Sequence, residues 1–217
     1  MSAVARYLLA QHLGSRRWVA PCLFLVGGVV VLYAQPPNPV LSTAGTAAAW
    51  LLPAQIWLAL SFLNTQETGD RQSLVANAGP RTFALGRLLG LAVLALLASL
   101  VTLALPTLSG RFERAPQADE LALILVANLV CASAGSALAA LFARPILRGR
   151  AAPVLGLSAC LLATIPLGLS PAVATARALD RTGAAEVPGR LAPTIAAVAA
   201  FAALALLASA LLWRRRE

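Results

Sequence analysis

The sequence predicts an all-α membrane protein with six transmembrane helices, both termini in the cytoplasm and an amino-terminal amphipathic helix at the membrane interface. Apolar residues make up 59% of the chain, above the roughly 45–50% that is typical of soluble proteins. The mean hydropathy is +0.81. The apolar residues form six runs of about the length that a membrane-spanning helix needs. Backbone polar groups in lipid must be satisfied within their own segment, so every run is expected to be helical.

The distribution of arginine orients these helices. All 17 basic residues are Arg, and alternate connections place 12 of them on one side of the membrane and five on the other. Acidic residues number three on the first side and five on the second, so the net charge is +9 on one face and zero on the other. Connections rich in Arg stay in the cytoplasm. The first side, which holds both termini, is therefore predicted to be cytoplasmic, with anionic lipid headgroups as partners for its arginines.

A single membrane domain is expected over residues 1–217, because the connections are too short to fold separately. Its predicted parts are an interfacial helix at 2–17, spans at 18–34, 41–63, 83–108, 120–143, 153–169 and 191–213, a cytoplasmic segment at 64–81 and an outer loop at 170–190.

The amino-terminal segment 2–17 is too polar to span a membrane. Its larger apolar side chains can face one way, with the arginines and Gln11 elsewhere; they are Tyr7, Leu8, Leu9 and Leu13. This pattern is typical of a helix that lies on the cytoplasmic leaflet. The alternative is a short cytosolic tail.

Aromatic residues and prolines mark the ends of several spans. Trp18 and Tyr33 stand at the two ends of the first span, as interfacial aromatics do. Pro166 can end the fifth span early. In that case the outer loop, for which a short helix is predicted around Ala172–Leu179, dips back toward the membrane.

Several kinds of chemistry are excluded by the residues present. The chain has no lysine, so it has neither a phosphate-loop lysine nor a Schiff-base lysine. No span carries a charge near its centre, which disfavours an ion-coupled pump. His12 is the single histidine, and the three cysteines lie in apolar spans without metal-ligand spacing. A non-catalytic chain without its own cofactor or metal is expected, and nucleic acid is not an expected partner because the arginines flank apolar runs.

The second span carries a polar and aromatic face. At 100° per residue its members fall within about 80° of arc; they are Thr46, Trp50, Pro53, Trp57, Ser61 and Asn64. Such a stripe can line a path for a bulky amphiphile, with Thr46, Trp50, Trp57 and Ser61 as the candidate residues. The alternative is an ordinary seam between helices. Gln55 points to the opposite face and is expected to hydrogen-bond to a neighbouring helix or subunit.

The fourth span carries small residues four positions apart. They are Ala132, Ser136 and Ala140, and this spacing predicts close packing against another helix.

The cytoplasmic segment between the second and third spans predicts a short helix. Asp70 can cap a helix over about Arg71–Ala78, and Gly79 with Pro80 is expected to end it. Such a helix lies across the cytoplasmic ends of the two spans, where it can dock on a partner.

The same segment resembles the membrane subunits of type-2 ATP-binding-cassette exporters. The residues that carry the resemblance are Glu67, Gly69, Leu74, Pro80, Arg81, Gly86 and Arg87. The family often has Thr–Leu–Glu after the first glycine, whereas this chain reads Asp70-Arg71-Gln72-Ser73-Leu74. The predicted architecture resembles the family over nearly the whole chain.

The resemblance implies a dimer of six-helix domains in a bacterial inner membrane, formed with a copy or with a different permease. Two separate cytosolic ATPases would bind ATP and Mg²⁺ beneath it, and the short helix at 70–78 would be the coupling helix. The residues that it implies for coupling are Glu67, Gly69, Asp70, Arg71, Leu74, Pro80 and Arg81. The expected cargo is a hydrophobic or amphiphilic lipid, peptide or drug-like molecule.

Other functions stay open from the sequence. In its small size the chain also resembles the membrane subunit of haem-exporter-like systems of cytochrome c biogenesis. A stand-alone carrier or channel predicts flux without ATP. A membrane assembly or immunity subunit would bind a partner without transport.

Overall fold

The computed structural model describes residues 2–35, 37–66, 68–143, 171–180, 189 and 191–200. Over these ranges the chain is helical, apart from its turns and an isolated bridge between Asn38 and Phe112. The helices are α1 Ser2–Gly14, α2 Val19–Leu32, α3 Val40–Leu63, α4 Thr68–Ala78, α5 Pro80–Leu108, α6 Ala118–Phe142, α7 Pro171–Asp180 and α8 Leu191–Ala200.

Within the described ranges, three helices, α3, α5 and α6, are long and apolar enough to cross a membrane, and a fourth crossing is counted if α1 and α2 form one bent span. The predicted all-α class and its membrane character agree with this. Helix α2 has 14 residues, or about 21 Å, and is shorter than the predicted first span. The predicted fifth span lies outside the described residues, and of the sixth only α8 is described. The six-span topology therefore stays a prediction.

Helix α3 lies at the centre of the bundle and packs against α2, α5, α6 and α7. Leu51, Ile56 and Ala59 are fully enclosed. These buried residues lie on more than one face of α3, so neighbouring helices cover it on several sides. The second predicted span is therefore an interior helix, and its neighbours hold it in place.

Helix α1 meets α2 at an 80° bend, with Arg16 in the left-handed region at φ 55°. Its inward face is Ala5, Leu8 and His12, a helical spacing that packs against α3 and α5. The expectation that its large apolar residues share a face is wrong, because Tyr7 is 50% exposed and Leu13 is 56% exposed. Leu8 is buried against the bundle, whereas Tyr7 and Leu13 lie on the exposed side of α1.

Helix α7 confirms the short helix expected within the outer loop. It packs against α3 and α6, and Thr175 is fully buried. A side-chain hydrogen bond joins Thr175 to Cys131, near the middle of α6, and Ser42 Oγ donates to Asp180 Oδ1 over 2.7 Å. Helix α7 is therefore packed into the bundle. Pro166, on which the expected dip of the outer loop depends, lies outside the described residues.

Candidate functional site

The short helix α4 connects the ends of α3 and α5 on the predicted cytoplasmic side. Its exposed residues recur at helical spacing and continue into the first turn of α5. We call this set the α4 surface; it comprises Gly69, Asp70, Gln72, Ser73, Ala76, Asn77, Pro80 and Arg81. Glu67 and the side chain of Arg71, both expected in the coupling segment, lie outside the described part of the chain.

Leu74 lies on the other side of this helix. Together with Val75 it is half-buried and packs against the main hydrophobic cluster of the bundle. Leu74 therefore anchors α4 to the bundle, whereas the resemblance had implied that it takes part in coupling along with the docking residues.

Asp70 does not cap α4, and the prediction that it does is wrong. The helix begins at Thr68, so Asp70 lies within its first turn. A carboxylate there still interacts favourably with the helix dipole. Its Oδ2 accepts a hydrogen bond of 3.3 Å from Gln11 Nε2, which ties α4 to α1.

Gly79 ends α4 as expected. Its φ of 81° is the left-handed region that suits glycine, and its N–H donates to Val75 O over 2.9 Å. Pro80 is the first residue of α5, where a proline needs no N–H partner. Pro80 and Arg81 were expected in the cytoplasmic segment 64–81, and they instead form the first turn of α5. One residue therefore separates the two helices.

The other two residues of the family resemblance lie further along α5. A methyl group at Gly86 would come within 2.7 Å of Val4 Cγ1, so this glycine allows α1 to cross α5 closely. The Arg87 guanidinium lies 5.7 Å from the centre of the Phe83 ring.

His12 of α1 lies against the carboxyl-terminal end of α3. The His12 Nδ1 and Thr65 Oγ1 atoms are 3.1 Å apart, and the His12 ring meets Phe62 edge-on at 5.5 Å. Arg17 Nη1 donates to Asn64 O over 3.1 Å. Burial, and secondly the charge of Arg17, lower the pKa of His12 below its usual value. Sequence reasoning set this histidine aside; its spacing of four from Leu8 was the signal that it faces inward.

The aromatic face of α3 is divided between packing and exposure. The Trp50 ring stacks on Phe24 at 4.5 Å, and its Nε1 donates to Phe24 O over 3.3 Å. A methyl group at Gly28 would overlap this indole. Trp50 thus belongs to the seam between α2 and α3.

The remaining members of this face are more open. Thr46 is exposed and Trp57 is 47% exposed, while the half-buried Ser61 donates to Leu58 O over 2.7 Å. Their role in a membrane path stays a prediction.

Gln55 fulfils the expectation of a hydrogen bond to a neighbouring helix. Its Nε2 donates to Ser136 Oγ of α6 over 2.9 Å, and its side chain is fully buried. Ala132, which shares the small-residue stripe with Ser136, is also fully buried. The stripe on the fourth span therefore packs against α3, as its spacing predicts.

A second buried amide was missed from the sequence. Asn128 of α6 is fully buried and donates from Nδ2 to Ser99 O over 3.4 Å. Within the described ranges its Oδ1 and the Ser99 hydroxyl have no hydrogen-bond partner. An asparagine in the middle of an apolar run was the available signal. Asn128 joins α6 to α5, whereas Gln55 joins α3 to α6.

Polar contacts join the helix ends on the predicted outer side. Glu120 accepts two hydrogen bonds from Arg114, of 2.9 and 2.6 Å, and a third from Gln117 N at the start of α6. Asn38 Nδ2 donates to Arg111 O over 2.9 Å, which links the two outer turns. These contacts give Glu120 a capping role at the water boundary.

Comparison of the chain with protein families, with curated proteins and with solved structures finds no match.

Proposed function

We propose that this chain is the non-catalytic transmembrane subunit of an ATP-driven exporter of the type-2 ATP-binding-cassette class. The observation that carries the proposal is α4, a short helix with an exposed polar face between two long apolar helices on the Arg-rich side. A cytosolic ATPase needs an exposed polar surface to bind, because most of the other helices in the described ranges present apolar surfaces to the membrane or to each other.

The coupling step is mechanical. A partner ATPase supplies the chemistry of ATP with Mg²⁺, and its closure pushes on the α4 surface. Gly79 is the one residue between α4 and α5, so displacement of α4 passes directly into a membrane-spanning helix. The contact from Asp70 to Gln11 passes part of the same motion to α1.

The proposed cargo is a hydrophobic or amphiphilic molecule, such as a lipid, a peptide or a drug-like compound. It would cross between this chain and a second permease subunit in a bacterial inner membrane. Thr46, Ser61 and the exposed Trp57 offer small polar groups and an indole along one side of α3. An indole face and hydroxyl groups suit a molecule with both apolar and polar parts.

The test is capture of a co-expressed phosphate-loop ATPase encoded beside this chain. Ser73→Trp places a bulky side chain on the α4 surface, and we expect a loss of capture of about tenfold or more, as for a disrupted interface centre.

Ser109→Trp is the matched control. Ser109 is also exposed, and each hydroxyl donates to a nearby backbone carbonyl, over 2.8 Å for Ser73 and 2.7 Å for Ser109. Capture should be unchanged in this variant. Equal capture by both variants would contradict the proposal. Flux through the purified chain in liposomes without any ATPase would favour a stand-alone carrier.

A further inference from the structure

The hydrogen bonds around His12 define its tautomer. Thr65 Oγ1 donates its proton to Ser61 O over 2.7 Å, so toward His12 it can only accept. His12 Nδ1 must therefore carry the proton in the 3.1 Å contact with Thr65. The other ring nitrogen, Nε2, is left as a bare acceptor. It is buried and has no hydrogen-bond partner among the described residues.

The charges around this ring are mostly positive. Arg17 follows on the same chain segment and lowers the pKa of His12, and the neighbouring Arg16 is exposed. From α5, Arg87 lines the cleft beside Gln11 and Thr65. From α4, Asp70 reaches the site through Gln11. The described part of the link after α3 contributes only neutral groups, Asn64, Thr65 and Gln66; Glu67 lies outside the described residues.

We propose that His12 makes the docking of α1 sensitive to pH, so that its protonation releases α1 from α3 and α5 and removes the contact of Gln11 with Asp70. The effect on α4 as a coupling element rests on the proposed function. The release itself depends only on the contacts of this chain.

Protonation opposes docking for a geometric reason. An imidazolium has two N–H donors, and Nε2–H would have no acceptor in the docked form. Burial of an unpaired charge is costly, and Arg17 adds repulsion. The pKa of His12 is lower in the docked form than its usual value of 6.5, so the released form binds the proton more readily. Docking is therefore complete above about pH 6.5 and weakens as the pH falls through the lower value.

The single histidine allows a direct measurement. The full chain, purified in lipid nanodiscs with a tag that lacks histidine, is labelled on the histidine ring and titrated by NMR. We expect the Nδ1–H tautomer at about pH 8 and a midpoint below 6.5, the unperturbed value for histidine. The Nε2–H tautomer, or a midpoint at or above 6.5, would overturn the proposal.

Hydrogen exchange of the α1 amides supplies the conformational readout. After correction for intrinsic rates, protection of the wild-type amides should fall about tenfold between about pH 8 and pH 5. His12→Gln keeps a donor for Thr65 and does not titrate, so its protection should stay flat. An equal pH dependence of protection in the wild type and in His12→Gln would refute the proposed role of His12.

Two further variants separate the parts of the proposal. His12→Phe retains the packing on Phe62 without a titrating group, and it serves if His12→Gln folds poorly. Gln11→Leu keeps His12 and removes the link to Asp70, so its α1 amides should still respond to pH while those of α4 do not. These measurements use the chain without an ATPase. Failure to capture an ATPase therefore leaves this result unaffected.

Discussion

At the scale of single residues, the bundle contains polar groups that only particular neighbours can satisfy. Gln55 depends on Ser136, and Asn128 depends on a backbone carbonyl of α5. Hydrogen bonds between membrane helices are individually modest, but an amide left without any partner loses its compensation for burial. Such residues therefore specify which helix faces which.

The Gln55–Ser136 pair gives a first prediction. Ser136→Ala removes the acceptor and should lower the free energy of unfolding by about 1 kcal/mol, measured by denaturation in detergent micelles. Adding Gln55→Leu should recover most of this loss, because the buried amide is then gone. Additive losses in the double variant would argue against the pair.

Two adjacent glycines give a second prediction. Gly28→Ala brings a methyl group into the indole of Trp50, whereas a methyl at Gly27 meets nothing within 4 Å. Overpacking of this kind costs about 1–3 kcal/mol. We expect a lower melting temperature and altered tryptophan fluorescence for Gly28→Ala. Gly27→Ala should leave both near the wild-type values, and equal effects would show that Trp50 does not pack there.

At the scale of helices, the junction between α4 and α5 is the element on which the coupling proposal depends. Gly79 provides a left-handed residue, and Pro80 begins the next helix. Together they make a sharp corner without a loop, so the orientation of α4 relative to α5 depends on a single backbone conformation.

A substitution at this corner tests that dependence. Gly79→Ala should destabilise the chain by about 1–3 kcal/mol, because its φ of 81° and ψ of 150° form a backbone conformation that essentially only glycine adopts, and should weaken ATPase capture. Gly27→Ala is the control, because a methyl there meets nothing within 4 Å and the residue lies in α2, outside the α4 surface. Thermal unfolding and capture are measured on both. An unchanged Gly79→Ala protein would mean that α4 does not need this corner.

At the scale of the whole molecule, the asymmetry of arginine predicts the orientation in the membrane. Ser73 on α4 and Ser109 after α5 are exposed at opposite ends of the bundle. Ser109→Cys should react with a membrane-impermeant thiol reagent on intact spheroplasts. Ser73→Cys should react only after permeabilisation. The wild-type protein provides the background of its own three cysteines: Cys131 is buried, Cys22 is half-buried, and Cys160 lies outside the described residues. The reverse pattern would invert the predicted topology.

The local features were predictable because they depend on residues close in the chain. The lengths of α3, α5 and α6 follow from uninterrupted apolar runs. The end of α4 follows from Gly79 and Pro80, whose backbone preferences need no partner. A short helix was also expected at the position of α7. For the site, exposure of Asp70 and Arg81 was predictable from their polarity, whereas the inward position of Leu74 depended on which side of α4 meets the bundle.

Contacts between distant segments needed the folded chain. The periodicity of α1 permits more than one apolar face, and packing on α3 and α5 selected Ala5, Leu8 and His12. Likewise, Gln55 could bind a neighbouring helix, but the choice of Ser136 required α6 to lie beside α3. Helix formation is decided by backbone hydrogen bonds within each segment, and the pairing of faces by the fit of side chains far apart in the chain.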